Sequence, residues 1–243
     1  MVLSIAPLEM KFDFTELGYG ISAASIIMML DITPVIASAS IHISEGLVGI
    51  VSAISHWSVG NVEKSLFLRL FIPGVAGAVV GASFLLSIPA SISKLYVSLI
   101  LFGMGIIIFS RFLRRKIIVK KKLPMQFIPF LGFVAAYLDV SGCGGWGPLC
   151  TPTFILGGAE PRKAVGTVEA TEPIISITAI IFFAFSIGLK SFLWRIIIPI
   201  TLGGILLTPI AAWLTKQVPK KILGIFIGLW LIILNGRLLI TFF

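Results

Sequence analysis

The sequence predicts an all-α fold: a polytopic transmembrane helical bundle of two homologous halves, with about seven spans plus two broken or re-entrant helices. Three observations carry that expectation. Of the 243 residues 58% are apolar and only 12% charged, and mean hydropathy is +1.10; a soluble domain carries about 25% charged residues. Stretches such as FLRLFIPGVAGAVVGASFLLSI (67–88) and LYVSLILFGMGIIIF (95–109) are apolar all round, without the one-sided stripe of a helix that faces water. Finally, the chain resembles itself at an offset of about half its length.

At an offset of 127, Gly18-Tyr19-Gly20 falls on Gly145-Trp146-Gly147, Pro34 on Pro161, His42 on Glu169 and Glu45 on Glu172. Slightly different offsets match Arg69 and Pro73 to Arg195 and Pro199, and Pro89 to Pro219. Each half then reads alike. A glycine break opens a short apolar segment (21–30 and 148–157), a proline loop follows, and then a polar-bearing apolar helix (35–56 and 164–187). Two clean spans complete each half, 66–87 with 92–112 and 192–214 with 220–241. The short segments cannot cross a bilayer at 1.5 Å per residue, and irregular backbone survives in lipid only where protein buries it or a cavity adjoins it. FIPFLGFVAAYLD (127–139) leads the second half, whereas the first is led by a charged stretch that cannot span. That stretch, residues 1–16, carries Glu9, Lys11, Asp13 and Glu16 and is not expected to be a signal peptide. We therefore expect a first transmembrane repeat over 1–112 with its leading helix short or missing, a basic loop over 113–124, and a second repeat over 125–243.

Seven of the nineteen basic residues lie in RFLRRKIIVKKK (111–122), with no acid among them. Between two apolar spans, this reads as a cytoplasmic loop obeying the positive-inside rule rather than as a nucleic-acid site. The expected partners are the lipid bilayer and a small anion, with no nucleic acid; a homo-oligomer stays open. The expected location is the cell's plasma membrane. No cofactor and no resident metal is called for. Cys143 and Cys150 cannot build a disulfide framework and are expected to be small buried residues beside the site.

The chemistry concentrates in SGCGGWGPLCTP (141–152). Glycines at 142, 144, 145 and 147 open backbone angles closed to other residues, and Pro148 suits the first turn of a helix. Together they place a helix N-terminus inside the membrane, where N–H groups and a partial positive charge suit an anion. Ser141 and Thr151 add hydroxyls. The alternative is that the glycines serve close helix packing. A second constellation pairs His42 with Glu45 and Glu169 with Glu172, each pair on one helix face. Carboxyls within a span face a polar interior and are candidates for carrying a coupling proton; holding the helices together is the equal alternative. Asp139, two residues before Ser141, is read as a cap or brace for the glycine loop, or as a further protonatable group. Asp31 suits a turn, and His56, Trp57 and Asn61 mark a turn at the membrane surface.

On LDVSGCGGWGPLCTPTFILGGAEPRKAVGTVEATEP (138–173) and ELGYG…TPVIASASIHISEG…SHWSVGNV (16–62), the sequence resembles the sulfite exporter TauE/SafE family along nearly its whole length. The resemblance implies a polytopic bundle of two halves that transports sulfur-containing anions such as sulfite, sulfoacetate or related sulfonates. Carried over by position, it implicates Gly142, Gly144, Gly145, Trp146, Gly147, Pro148, Thr167 and Glu172, with Gly18, Gly20, Ser40 and Glu45 in the first half. It departs at Cys143, where glycine is expected.

The leading expectation is thus a secondary transporter of small anions, not an enzyme, working by alternating access with or without a proton gradient. No G-x-x-x-x-G-K-[ST] occurs, so the chain cannot burn ATP by itself. A metal or cation permease using Glu45, Glu169, Glu172 and His42 is one rival. A membrane-embedded enzyme with Cys143 or Cys150 as nucleophile is another, although neither H-E-x-x-H nor G-x-S-x-G occurs.

Overall fold

Prolines and glycines punctuate the chain, and helices fill the intervals. The computed structural model describes residues 14–113, 124–203 and 220–242, with the backbone alone for 14–19 and 220. Helix α1 spans Phe14–Met29, α2 Pro34–Ser58, α3 Lys64–Ser87 and α4 Ala90–Leu113. After a 3₁₀ turn at Met125–Phe127 come α5 (Ile128–Gly142), α6 (Trp146–Leu156) and α7 (Pro161–Ile187). A second 3₁₀ turn (Leu189–Ser191) leads to α8, described over Trp194–Gly203, and α9 spans Lys220–Ile240. Pro34 and Pro161 each occupy the first turn of their helices behind an extended residue, where a missing N–H costs nothing.

Six of these helices are long and apolar enough to cross a membrane: α2, α3, α4, α5 with its leading 3₁₀ turn, α7 and α9. The seventh expected span, 192–214, lies partly outside the described residues, as do residues 1–13, Pro219 and most of the 111–122 run. One expectation needs correction. The glycines at 18 and 20 do not open a new helix, because α1 runs without a break from Phe14 to Met29. Two glycines cost a helix roughly 1 kcal/mol each, which packing on both sides can offset. The second glycine run does break the chain, between α5 and α6.

The packing suits lipid rather than water. Helix α3 packs along α5, α4 along α9, and α2 along α7, with α3 also against α7 and α1 against α9. Small residues let these pairs approach closely. A Cβ added at Gly81 of α3 would come within 2.7 Å of the Tyr137 carbonyl of α5. Where α2 crosses α7, Gly46 lies over Ser176 and Gly49 over the Pro173 ring. Large apolar side chains point outwards, among them Ile54, Ile72, Phe185 and Ile240, while Ser25, Ser38, His42, Asp139, Thr151 and Asn235 are buried inside. A surface this apolar over a partly polar interior is the arrangement of a chain dissolved in a bilayer.

Candidate functional site

The α5–α6 break is built by local strain and one carboxylate. Cys143 ends α5 with φ 59° and ψ 37°, a left-handed conformation that costs an L-residue about 1–2 kcal/mol. Gly144 follows at φ 146°, packed against Ile21 of α1, where a Cβ would meet the Ile21 methyl at 2.8 Å. The Gly144 N–H donates to the Asp139 carbonyl at 2.9 Å, closing α5. Asp139 then serves the next helix too: its Oδ1 accepts the Trp146 N–H at 3.1 Å, which caps the start of α6. The Trp146 ring is fully buried and donates through Nε1 to the Val168 carbonyl of α7 at 3.1 Å. Gly142 to Pro148 are all buried, so in this conformation the break is closed to solvent.

Across from the break stands α2. His42 is fully buried, and its Nδ1–H donates to the Ser38 carbonyl one turn earlier at 2.7 Å. That bond turns Nε2 towards Asp139, whose Oδ2 lies 3.4 Å away. Neither Nε2 nor Oδ2 has a hydrogen-bond partner. The Ser38 hydroxyl donates to the Val140 carbonyl at 2.7 Å, tying α2 directly to α5. Glu45 completes the group: one ligating atom each of His42, Glu45 and Asp139 lie within 4.8 Å of one another. The Glu45 carboxylate lies where a Cβ on Gly20 would sit, so the glycine in α1 leaves room for an acid. Glu172 of α7 is half-buried, within electrostatic reach of Glu169, Glu45 and Asp139.

The remaining sequence candidates scatter. Ser141 is buried, but its hydroxyl donates to the Tyr137 carbonyl at 2.6 Å and shares a 2.8 Å bond with the Tyr96 hydroxyl. Thr167 lies elsewhere, its Oγ1 accepting the Glu63 N–H at 2.9 Å and so fastening the α2–α3 loop to α7. The Ser52 hydroxyl donates to Glu169, again joining α2 to α7. Ser40 points to α8, accepting the Leu193 N–H at 3.2 Å beside an apolar crevice lined by Ala23, Ile27, Ser44 and Ile197. Thr151 and Cys150 are buried within α6, and the Cys143 thiol points at the Pro34 carbonyl, 3.8 Å away. Gly18 and Tyr19 lie in the part of α1 described by its backbone alone.

Sequence reasoning missed Ser38, Ser52 and Tyr96. Ser38 had a signal, standing one turn before His42 in ASASIHIS (37–44). Ser52 and Tyr96 had none, since neither belongs to a motif or a paired spacing. The pairing of His42 with Asp139 joins residues 97 positions apart and leaves no local trace.

An all-α bundle with six helices, among the described residues, fit to span a bilayer and a buried polar centre is a polytopic integral membrane protein. The chain belongs to the sulfite exporter TauE/SafE family, which it matches over residues 14–238. It is also similar to the Bacillus subtilis (strain 168) protein named "Probable membrane transporter protein YtnM", at 38% identity over 231 residues, covering 93% of this chain and 77% of that protein. No solved structure matches it. The family is one of membrane transporters and not an enzyme class, which sets aside the thiol-enzyme reading.

Proposed function

We propose that the protein is a secondary transporter of a small oxidised-sulfur anion, such as sulfite or a sulfonate, moved by alternating access of two homologous halves and coupled to protons. The observation that supports this reading is the start of α6. A helix N-terminus held inside the bundle and already satisfied by a carboxylate suits an oxyanion without any lysine. The glycines from 142 to 147, with Pro148, would shape that site, and Thr151 would border it. The buried Asp139 and Glu169 and the half-buried Glu45 and Glu172, with His42, are the candidates for carrying the proton. The basic run at 111–122 would face the cytoplasm and the membrane would be the plasma membrane.

The test is uptake into proteoliposomes of labelled sulfite, a small sulfonate and sulfate, with and without an imposed pH gradient, for wild type and Glu172→Gln. Saturable uptake of the sulfur oxyanions that needs the gradient and loses that need in Glu172→Gln is the expected result. No oxyanion uptake by correctly folded protein would sink the substrate reading.

One observation favours a second reading, a cation permease: the grouping of His42, Glu45 and Asp139 within 4.8 Å. Flux of divalent metals in the same vesicles, undiminished when all oxyanions are removed, would establish it in place of the first.

A further inference from the structure

Asp139 is bonded at one end and unsatisfied at the other. Its Oδ1 holds the Trp146 N–H at 3.1 Å, while its Oδ2 faces the equally unpartnered Nε2 of His42 across 3.4 Å. Both side chains are buried, His42 fully and Asp139 to 97%. A normal charge-assisted hydrogen bond between these atoms would be about 2.7–2.9 Å long, so a shift of a few tenths of an ångström towards α2 would close it. His42 is fixed for that role, because its Nδ1–H is committed to the Ser38 carbonyl and the ring cannot turn away without losing that bond.

The same carboxylate fills the place that the anion reading reserves for substrate. A negative group at the first N–H of a buried helix is what an oxyanion would be there. Two such charges side by side in a buried site repel strongly. Either the substrate never reaches Trp146 N–H, or Asp139 leaves it.

We propose that Asp139 is an internal competitor for the transported anion: it occupies the α6 N-terminus when the site is empty, and on anion binding swings its carboxylate from Trp146 N–H onto His42 Nε2. The inference rests on the anion reading and deepens it. Trp146 N–H is then the shared donor, and His42, as an imidazolium protonated on both ring nitrogens, is the positioning residue whose Nε2–H receives the displaced carboxylate. Ser38 steadies both sides of the exchange through its contacts with His42 and Val140.

A competitor has a signature that a structural brace lacks: removing its charge strengthens ligand binding. The experiment measures binding of methanesulfonate, an anion that stays singly charged across the working pH range, to the purified full chain in detergent by calorimetry. Wild type, Asp139→Asn, His42→Gln and the double variant are compared, each first checked for a sharp melting transition. Asp139→Asn keeps an oxygen for Trp146 N–H but no charge, and should bind on the order of tenfold tighter. His42→Gln should bind several-fold more weakly, since the displaced carboxylate loses its receiving partner. In the double variant the His42→Gln effect should vanish, because nothing charged is displaced. Equal or weaker binding by Asp139→Asn, or an undiminished His42 effect in the double variant, overturns the inference while leaving the anion reading intact. No binding by wild type or Asp139→Asn overturns both. Should Asp139→Asn fail to fold, His42→Gln decides: affinity equal to wild type with an unchanged melting temperature overturns the proposal.

Discussion

Two stretches that match in sequence do opposite things. Around Gly18-Tyr19-Gly20 the chain stays helical, while around Gly145-Trp146-Gly147 it breaks. From there to the next helix the two run in parallel. Met29 and Leu156 end α1 and α6, Asp31 and Gly158 take positive φ of 62° and 84°, and Pro34 and Pro161 start α2 and α7, all 127 residues apart. The difference teaches that a paired glycine does not break a helix by itself. The break at 143–145 has a left-handed Cys143, a proline three residues past the glycines' turn, and above all a carboxylate that caps the new helix. In α1, Gly20 serves instead as a gap into which Glu45 fits. The matched acid–base positions diverge too: His42 faces a carboxylate, whereas Glu169 takes a serine hydroxyl.

The sharpest way to break this comparison is to remove the carboxylate. Asp139→Ala leaves Trp146 N–H uncapped and a buried His42 without its counter-charge, and should cost about 3–5 kcal/mol. Glu169→Ala, at the other buried acid, should cost about 1 kcal/mol, since the Ser52 hydroxyl can rotate to another acceptor. Unfolding titrations in detergent measure both. A loss for Asp139→Ala no larger than for Glu169→Ala would mean that the break does not depend on its cap.

The two glycine runs can be set against each other next. Gly144→Ala places a methyl 2.8 Å from Ile21 at a backbone angle that disfavours any side chain, and should destabilise by about 1–3 kcal/mol. Gly20→Ala meets only the flexible end of Glu45, and helix propensity returns up to about 1 kcal/mol, so its melting temperature should stay near that of wild type. Equal losses at the two sites would erase the distinction drawn between a break and a gap.

Most of the architecture was legible in the sequence because lipid demands long, uniformly apolar helices, and those leave continuous runs such as 67–88. The position of the second break was legible because four glycines and a proline crowd into it. The unbroken α1 was not, since glycine tolerance is decided by neighbours such as Glu45 that lie far along the chain. Of the site, individual polar residues were visible as exceptions within apolar helices, but their grouping was not. Thr167 and Ser40, brought forward by resemblance, turn out to hold the Glu63 and Leu193 amides, well apart from the His42–Asp139 pair in their bonding.

Cys143 sharpens the comparison from the other side. It stands at φ 59°, where the family resemblance expects glycine, and its thiol makes a long contact, 3.8 Å, to the Pro34 carbonyl. Cys143→Gly removes the left-handed penalty of about 1–2 kcal/mol but adds chain entropy, so a net gain of up to about 1 kcal/mol is expected. A fall in melting temperature would show that thiol packing against α2 outweighs backbone strain.

The smallest effect belongs to the matched turns. Asp31 and Gly158 share a left-handed backbone, but only Asp31 carries a side chain, and Lys94 donates to its carboxylate. That hydrogen bond, reinforced by the lysine's charge, holds the Asp31 carboxyl below its ordinary 3.8. The sign follows directly. A folded-state pKa below the unfolded one contributes stability that is present above 3.8 and disappears as pH falls through the folded value. Because Asp31 is fully exposed, solvent screens the pair, and the contribution is small. Lys94→Met should therefore lower the melting temperature slightly at neutral pH, with the two curves converging once the medium is more acidic than 3.8. Raising the salt concentration at neutral pH should shrink the same difference. A gap that persists in acid, or ignores salt, would assign the lysine's effect to packing of its stem against the α1–α2 loop rather than to the ion pair.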